Sequence, residues 1–517
     1  MKGKSKYLSI MLIAVMIIVL LAACSSSNNG GSSSDKGSDS TTETNTKTTE
    51  QETGGSGEAA LDPYELTMAV PVFGPIPQDL EEVQAEINKI TQAEINTTVT
   101  ILPISIGAWG QQMNLMMSGG EKLDLSFAFG AQYPSQASTG QLVLMDELLV
   151  KYGEGITKEL GDYIKAASIE GKIYGVPITG PYAQNAAVYM RKDLVEKHNI
   201  DISAITSLAD MERVYQVIKE KEPGIYPLAA GLTSPLEYIR NYDRLGDGFG
   251  VLPGFDNGLK VENYYETQEY ADYLNLMRNW YKAGYINKDA ATTQSTVQDY
   301  MKAGKAFSYV MSSKPLVHSQ EEIATGHELV HVDLLPDSYS TTDLALIGLY
   351  TIAHHSENPE RAMMMLNLMY TNSDLVNLLV YGIEGKHYVK VGETQYDFPE
   401  GVDAKTTGYS LHIMVTGNTL LARVHTKDDP NTNNMIRTFN QEAKKSKAFG
   451  FAFNPASVKN EVTALQNVTT QYRKILETGS IDPTDKLNDF NAKLKAAGID
   501  KVIAEKQKQL DAWAAAQ

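Results

Sequence analysis

Gly171-Lys172-Ile173-Tyr174-Gly175-Val176-Pro177, followed by Asn185-Ala186-Ala187-Val188-Tyr189-Met190-Arg191-Lys192-Asp193-Leu194, decides how this chain is built. The first stretch reads as a short strand broken at a glycine and a proline. The second reads as a strand over 186–190 that runs into a helix near Lys192. Thr179-Gly180-Pro181-Tyr182-Ala183-Gln184 between them is rich in turn formers. A chain that leaves one sheet, crosses a turn and enters another predicts two lobes with a cleft between them.

Upstream, residues 66–70 read as a strand. Asp79-Leu80-Glu81-Glu82 has the form of a capping box, and Leu80, Val83, Ile87 and Ile90 recur at helical spacing. Residues 99–104 form the next expected strand. Gly107-Ala108-Trp109-Gly110 leads a helix carrying Met113, Met116 and Met117. The run Leu123-Asp124-Leu125-Ser126-Phe127-Ala128-Phe129 alternates strictly, which predicts a strand with Asp124 on its polar face. Alternating strands and helices predict a parallel sheet.

Downstream the pattern repeats. Ser207 opens a helix with Leu208, Met211, Val214 and Ile218 on one face. Residues 233–258 form a long loop dense in aromatics and charge, including Tyr238, Arg240, Tyr242, Asp243 and Arg244. Loops of that length in a compact domain usually serve a function. Residues 306–311, 329–335 and 344–353 are expected strands. Asn358-Pro359 supplies an N-cap and a first-turn proline. From Ser457 onward the chain reads as largely helical.

The 517 residues have room for two or three domains, and the net charge of −18 disfavours nucleic acid as a partner. A single cysteine, Cys24, rules out a disulfide framework and a cysteine-based metal site. Lys2, Lys4 and Lys6 precede an uncharged apolar run over 8–22, the form of a secretory signal. Leu21-Ala22-Ala23-Cys24 resembles a bacterial lipobox, which implies cleavage before Cys24 and its acylation. The Ser-, Thr- and Gly-rich residues that follow predict a disordered tether with a reach of roughly 30–35 Å.

His327-Glu328-Leu329-Val330-His331 matches the H-E-x-x-H zinc-peptidase signature. That chemistry requires a helix, whereas Val330, Val332 and Leu334 alternate as in a strand. A strand would hold the two histidines about 13 Å apart, beyond one metal's reach. A secreted zinc peptidase therefore stands only as the alternative. No G-x-S-x-G elbow occurs, and no cofactor is expected. The remaining expectation is a cleft lined with polar-ended aromatics and no catalytic residue. Its candidates are Trp109, Asp124, Phe129 and Tyr133 on the first lobe, Tyr182 and Asn185 at the crossing, Tyr242 and Asp243 in the long loop, and His354. Aromatic faces with carboxylate and amide edges suit a sugar, whose C–H face stacks while its hydroxyls hydrogen-bond.

The opening stretch, with Ser118-Gly119-Gly120-Glu121-Lys122-Leu123-Asp124 and Gly304-Lys305-Ala306-Phe307, resembles the extracellular solute-binding proteins of ABC importers, family 1. Asn358-Pro359-Glu360-Arg361-Ala362, Tyr381-Gly382-Ile383-Glu384-Gly385-Lys386-His387-Tyr388 and Glu505-Lys506-Gln507-Lys508-Gln509-Leu510-Asp511 resemble the LipO/LplA-type lipoproteins, which carry a C-terminal domain of unknown function of the 3502 type. The resemblance implies an α/β, two-lobed periplasmic-binding-protein-like fold (type II) with three hinge crossovers and a helical C-terminal region. It implies a monomer that carries an oligosaccharide to ABC permease subunits at the extracellular face of the cytoplasmic membrane, held there by lipid on Cys24. A sugar-sensing lipoprotein is a further alternative. The expected divisions are a signal peptide over 1–23, a tether over 24–61, an N-terminal lobe of 62–177 plus 342–390, and a C-terminal lobe of 178–341 plus 391–517.

Overall fold

The computed structural model describes residues 61–517, which form one compact unit. The expected signal peptide, Cys24 and nearly all of the tether fall outside the described residues.

Two sheets organise the chain. The first runs in the order Thr97–Ser105, Tyr64–Val72, Leu125–Ala128, Leu349–Ile352, Gly175–Pro177. Its first three strands are parallel, and Leu349–Ile352 runs antiparallel to both neighbours. Tyr64–Val72 is buried from Leu66 to its end, the continuous apolar run of a strand covered on both faces. Helix Leu80–Ile95 turns Val83, Ile87, Thr91 and Ile95 inward, as its spacing predicts.

The second sheet runs Lys444–Lys445, Tyr339–Ser340, Ala183–Arg191, Ala306–Ser313, Tyr226–Leu228, and Leu329–Asp333 also pairs with Ala183–Arg191. Each sheet has its own large hydrophobic core. One is centred on Leu66, Phe127 and Tyr350, the other on Val188, Trp280 and Phe307. The helices Lys459–Glu477, Pro483–Ala496 and Ile499–Ala515 pack on the second core through Leu465, Phe490, Val502 and Leu510.

The chain passes between the sheets three times. The first passage, 178–182, is braced at its backbone by two asparagines. Asn440 accepts from the Tyr182 N–H (2.8 Å) and donates to the Gly180 carbonyl (2.8 Å), while Asn418 accepts from the Thr179 hydroxyl (2.9 Å). The second passage follows Ser340, and the third precedes Lys444–Lys445. Tyr409, Leu411 and Val415 still pack in the first core, although the sequence places 391–517 with the second lobe. The expected strand over 344–353 is also corrected. Thr341 opens a short helix, Thr342–Ala345, and the strand begins only at Leu349. Gly348 lies against the Phe127 ring, where a Cβ would come within 2.3 Å, so that turn requires glycine.

Two of the motifs that carried the resemblance are fastenings of the first lobe. The buried Arg361 guanidinium donates to the carbonyls of Asp62, Ile95 and Asn96 and to the Thr97 hydroxyl, closing the first strand–helix–strand turn. Gly382 turns the chain at φ 81°, and His387 Nδ1 accepts from the Ile383 N–H (2.8 Å). That acceptor fixes the tautomer, so Nε2–H faces the Asp79 carboxylate (3.1 Å).

Candidate functional site

A cavity of about 220 Å³ opens where the long loop, the central strand of the second sheet and the second passage meet. The strand contributes Gln184 and Asn185, the loop Tyr238, Arg240, Tyr242 and Arg244, and the passage Thr341, Asp343 and Ile347. The loop closes on itself by pairing Tyr242–Asp243 antiparallel with Leu252–Pro253. Tyr242 lines the cavity, and its ring packs against Tyr264 with centroids 4.2 Å apart and planes tilted by 38°. One wall is a face-to-face pair of rings, Phe255 and Tyr339, with centroids 3.9 Å apart and planes 6° apart. Ile347 is 46% exposed there, an apolar edge beside polar groups.

The charges around this cavity are unequal in their bonding. Arg240 pairs with Glu237, which also accepts from Arg473 at 2.9 Å. Arg244 forms no ion pair among the described residues, and its one hydrogen bond reaches the Asp247 carbonyl at 3.4 Å. Its remaining donors are free for a ligand. Asp343 accepts the Gly246 N–H at 3.2 Å, which ties the loop to the passage. Burial, and then the neighbouring Asp243 carboxylate, push the Asp343 carboxyl up to about 6. Asp243 is itself raised by burial, and its Oδ2 finds no partner among the described residues.

The structure brings together Asn185 and Tyr242 of the expected site residues, with Asp243 directly behind the wall. Asn185 is largely spent on structure, since its amide donates to the Leu335 carbonyl (2.8 Å) and accepts from the Leu335 N–H (3.1 Å). Of the other expected residues, Trp109, Asp124, Tyr133 and Tyr182 are buried, Phe129 is half-buried and His354 is exposed. Trp109 is 3% exposed and packs edge-on against Phe127, which also receives Phe129 at 5.0 Å. Asp124 has no exposed surface and accepts from Tyr64 Oη (2.8 Å), the Thr67 N–H (2.9 Å) and Ser356 Oγ (2.5 Å). Tyr133 is enclosed and donates to the Ala167 carbonyl (2.5 Å). Tyr182 donates to the Ile178 carbonyl (2.9 Å) and packs at a tilt against Tyr163, so it stiffens the first passage instead of facing the cleft. His354 is exposed on the first lobe beside His355, away from this cavity's lining.

The sequence reading missed Asp343 and the Phe255–Tyr339 stack, whose partners are far apart in the chain and carry no local signal. It also missed the groove of about 600 Å³ after the first strand, where Phe73 (44%) and Ile76 (53%) are exposed. Loops at the carboxyl ends of parallel strands are where α/β sheets hold ligands. Phe73-Gly74-Pro75-Ile76-Pro77 directly after an apolar strand is a signal that could have marked it.

The zinc-peptidase arrangement is absent. His327 Nε2 lies 3.0 Å from the Met301 carbonyl, His331 stacks on Tyr189 and contacts His318, and Glu328 pairs with Lys192. The motif residues thus face three different neighbours, and no group of three or more ligating side chains forms among the described residues.

Two lobes joined by three passages, with a polar-aromatic cavity at their junction, define a hinged binding protein. The chain belongs to the bacterial extracellular solute-binding protein family, matched over residues 75–376, and residues 447–515 match a domain of unknown function, DUF3502. It is 30% identical over 466 residues to a carbohydrate ABC transporter substrate-binding protein of Streptococcus pneumoniae, covering 89% of this chain and 93% of that one. It is also 22% identical to the polygalacturonan/rhamnogalacturonan-binding protein YtcQ of Bacillus subtilis, over 59% of this chain and 63% of that one. Among solved structures it is similar to the N-glycan transport solute binding protein NgtS of Streptococcus pneumoniae, with 29% identity, a TM-score of 0.75, and coverage of 87% of this chain and 98% of that one. The TM-score is 0.62 against the same protein in complex with Man5GlcNAc, at the same identity and coverage.

Proposed function

We propose that this chain is the oligosaccharide receptor of an ABC-type importer, tethered to the outer face of the cytoplasmic membrane through an acylated Cys24. The lobes divide at the three passages, and cargo is held in the cavity where they meet. Arg244, Tyr242 and Asp343 grip sugar hydroxyls, and the Phe255–Tyr339 stack and Ile347 supply apolar surface. Cargo that touches both lobes stabilises the closed form, which the permease recognises. Nothing in this mechanism makes or breaks a covalent bond.

One observation carries the reading: the junction of the lobes holds a largely unpaired guanidinium, a raised carboxyl and stacked aromatic rings around one space. The TM-score is 0.75 to the NgtS structure whose description names no saccharide and 0.62 to that with Man5GlcNAc, so the conformation described for this chain is more similar to the former. Man5GlcNAc, held by that relative, is the first probe for this chain. Pectin fragments are the rival class, because two arginines reach the cavity. A thermal-shift screen of both classes decides, since a bound ligand raises the melting temperature by mass action. No shift with any oligosaccharide at millimolar concentration would overturn the proposal.

A further inference from the structure

The segment matched to the domain of unknown function meets the cavity wall from behind. Within the long loop, Leu245, Gly246, Gly248 and Gly250 all have positive φ, at 50°, 94°, 82° and 94°. Such a backbone persists only where its surroundings over-determine it. The ties come from the last helix, Ile499–Ala515. Lys506 has no exposed surface. Its Nζ donates to Asp247 Oδ1 (2.7 Å) and to the Gly250 carbonyl (3.0 Å), and lies 4.8 Å from the Phe453 ring centroid. Asp247 Oδ1 also accepts from the Phe249 N–H at 2.8 Å. Ile503 presses on Gly250, where a Cβ would meet its side chain at 2.9 Å. Gln507 accepts from the Val261 N–H (2.7 Å) and donates to the Leu259 carbonyl (3.0 Å). The helix Lys459–Glu477 adds Arg473, which holds Glu237 and through it Arg240.

A buried ammonium is expensive to desolvate, and an apolar side chain would fill the same slot more cheaply. What the charge does here is fix a loop. We propose that Lys506 is a positioning residue for cargo binding: from the C-terminal helix it holds loop 243–250 so that Tyr242 and Arg244 present to the cavity. The proposal rests on the cavity being the cargo site. It gives the C-terminal helical segment a task, namely backing the binding loop.

Hydrogen–deuterium exchange on the whole ligand-free protein reads the loop directly. Lys506→Met is expected to speed exchange in peptides spanning 242–250 at least tenfold while leaving 64–72 unchanged, and to weaken Man5GlcNAc binding at least tenfold. Phe490→Leu, a core change in the same helical segment, lowers the melting temperature but leaves loop exchange and affinity as they were. Should Lys506→Met fail to fold, Asp247→Asn keeps the volume and the Phe249 hydrogen bond and is read the same way. Unchanged loop exchange in a folded variant overturns the positioning role, even if Arg244→Ala still abolishes binding and so upholds the cavity. Faster loop exchange with unchanged affinity overturns the positioning role, and Arg244→Ala then decides on the cavity. Wild-type protein that ignores Man5GlcNAc overturns that cargo class, and loop exchange alone then decides on Lys506.

Discussion

Asp343→Asn should make the protein more stable and a poorer receptor. The Asp343 carboxyl sits at the second passage, accepting the Gly246 N–H at 3.2 Å, and its pKa is raised from 3.8 to about 6 by burial and by Asp243. A raised folded-state pKa means that the folded protein binds the proton more tightly than the unfolded chain does. Between about pH 4 and pH 6 the unfolded chain ionises first, so stability falls as pH rises, and above 6 the cost is constant. A shift of about 2 units is worth about 3 kcal/mol at 1.36 kcal/mol per unit. Asparagine keeps the oxygen that accepts from Gly246 and removes the charge. For about 450 ordered residues the unfolding entropy is about 1 kcal/mol per kelvin, so the variant should melt about 3 °C above wild type at pH 7.5. At pH 4, close to the unfolded value of 3.8, the difference should shrink to a small fraction of that at pH 7.5. Differential scanning calorimetry of ligand-free protein at pH 4, 5, 6 and 7.5 checks this. An offset that is the same at every pH, or none at pH 7.5, refutes the account of the carboxyl. Cargo affinity should move the other way, because an ionised carboxylate accepts sugar hydroxyls more strongly than a neutral amide.

Arg244→Ala should weaken oligosaccharide binding by tenfold or more in titration calorimetry and shift the melting temperature little, because its one hydrogen bond is long. Arg361→Lys should cost about 3 kcal/mol in denaturant unfolding, since one ammonium cannot replace a fork that reaches three carbonyls and a hydroxyl. Ligand affinity measured well below its melting temperature should stay at the wild-type value. His327→Ala should leave cargo binding unchanged and remove no bound zinc, because His327 faces the Met301 carbonyl and not His331.

The sheets were legible because their signals are local. The apolar run at Tyr64–Val72 and the apolar positions that recur over Leu123 to Phe129 mark strands that the fold buries on both faces, and that is written residue by residue. The first passage was legible for the same reason, since Gly180 and Pro181 interrupt two strands. The site was not. Asp124 was chosen for its polar strand face, yet the structure spends that carboxylate on Tyr64, Thr67 and Ser356, the last of them 232 residues away. A sequence shows that a polar group exists but not whether the fold has already satisfied it. Only Asn185 and Tyr242 reached the cavity, together with arginines from a loop identified by its length and composition alone.

The motifs that carried the family resemblance show what such motifs record. Arg361 reads backbone carbonyls at a turn, His387 bridges the Ile383 N–H to Asp79, and Lys506 clamps a strained loop. Each is a buried or nearly buried charged or titratable side chain bonded across a long sequence separation to backbone or to a carboxylate. Such groups are costly to desolvate singly, so a substitution that leaves the partner unpaired loses far more than the contact it removes. A cavity-facing guanidinium such as Arg244 carries no comparable penalty, because water satisfies it when the cargo is absent. The fastening residues can therefore identify the fold across relatives while the residues that meet the cargo vary with what each relative carries. On this argument Lys506 and Arg361 should be needed whatever the cargo is. Exchanging Arg240, Arg244 and Tyr242 together should change which saccharide is bound without unfolding the protein, and that is the substitution set with which to redirect it.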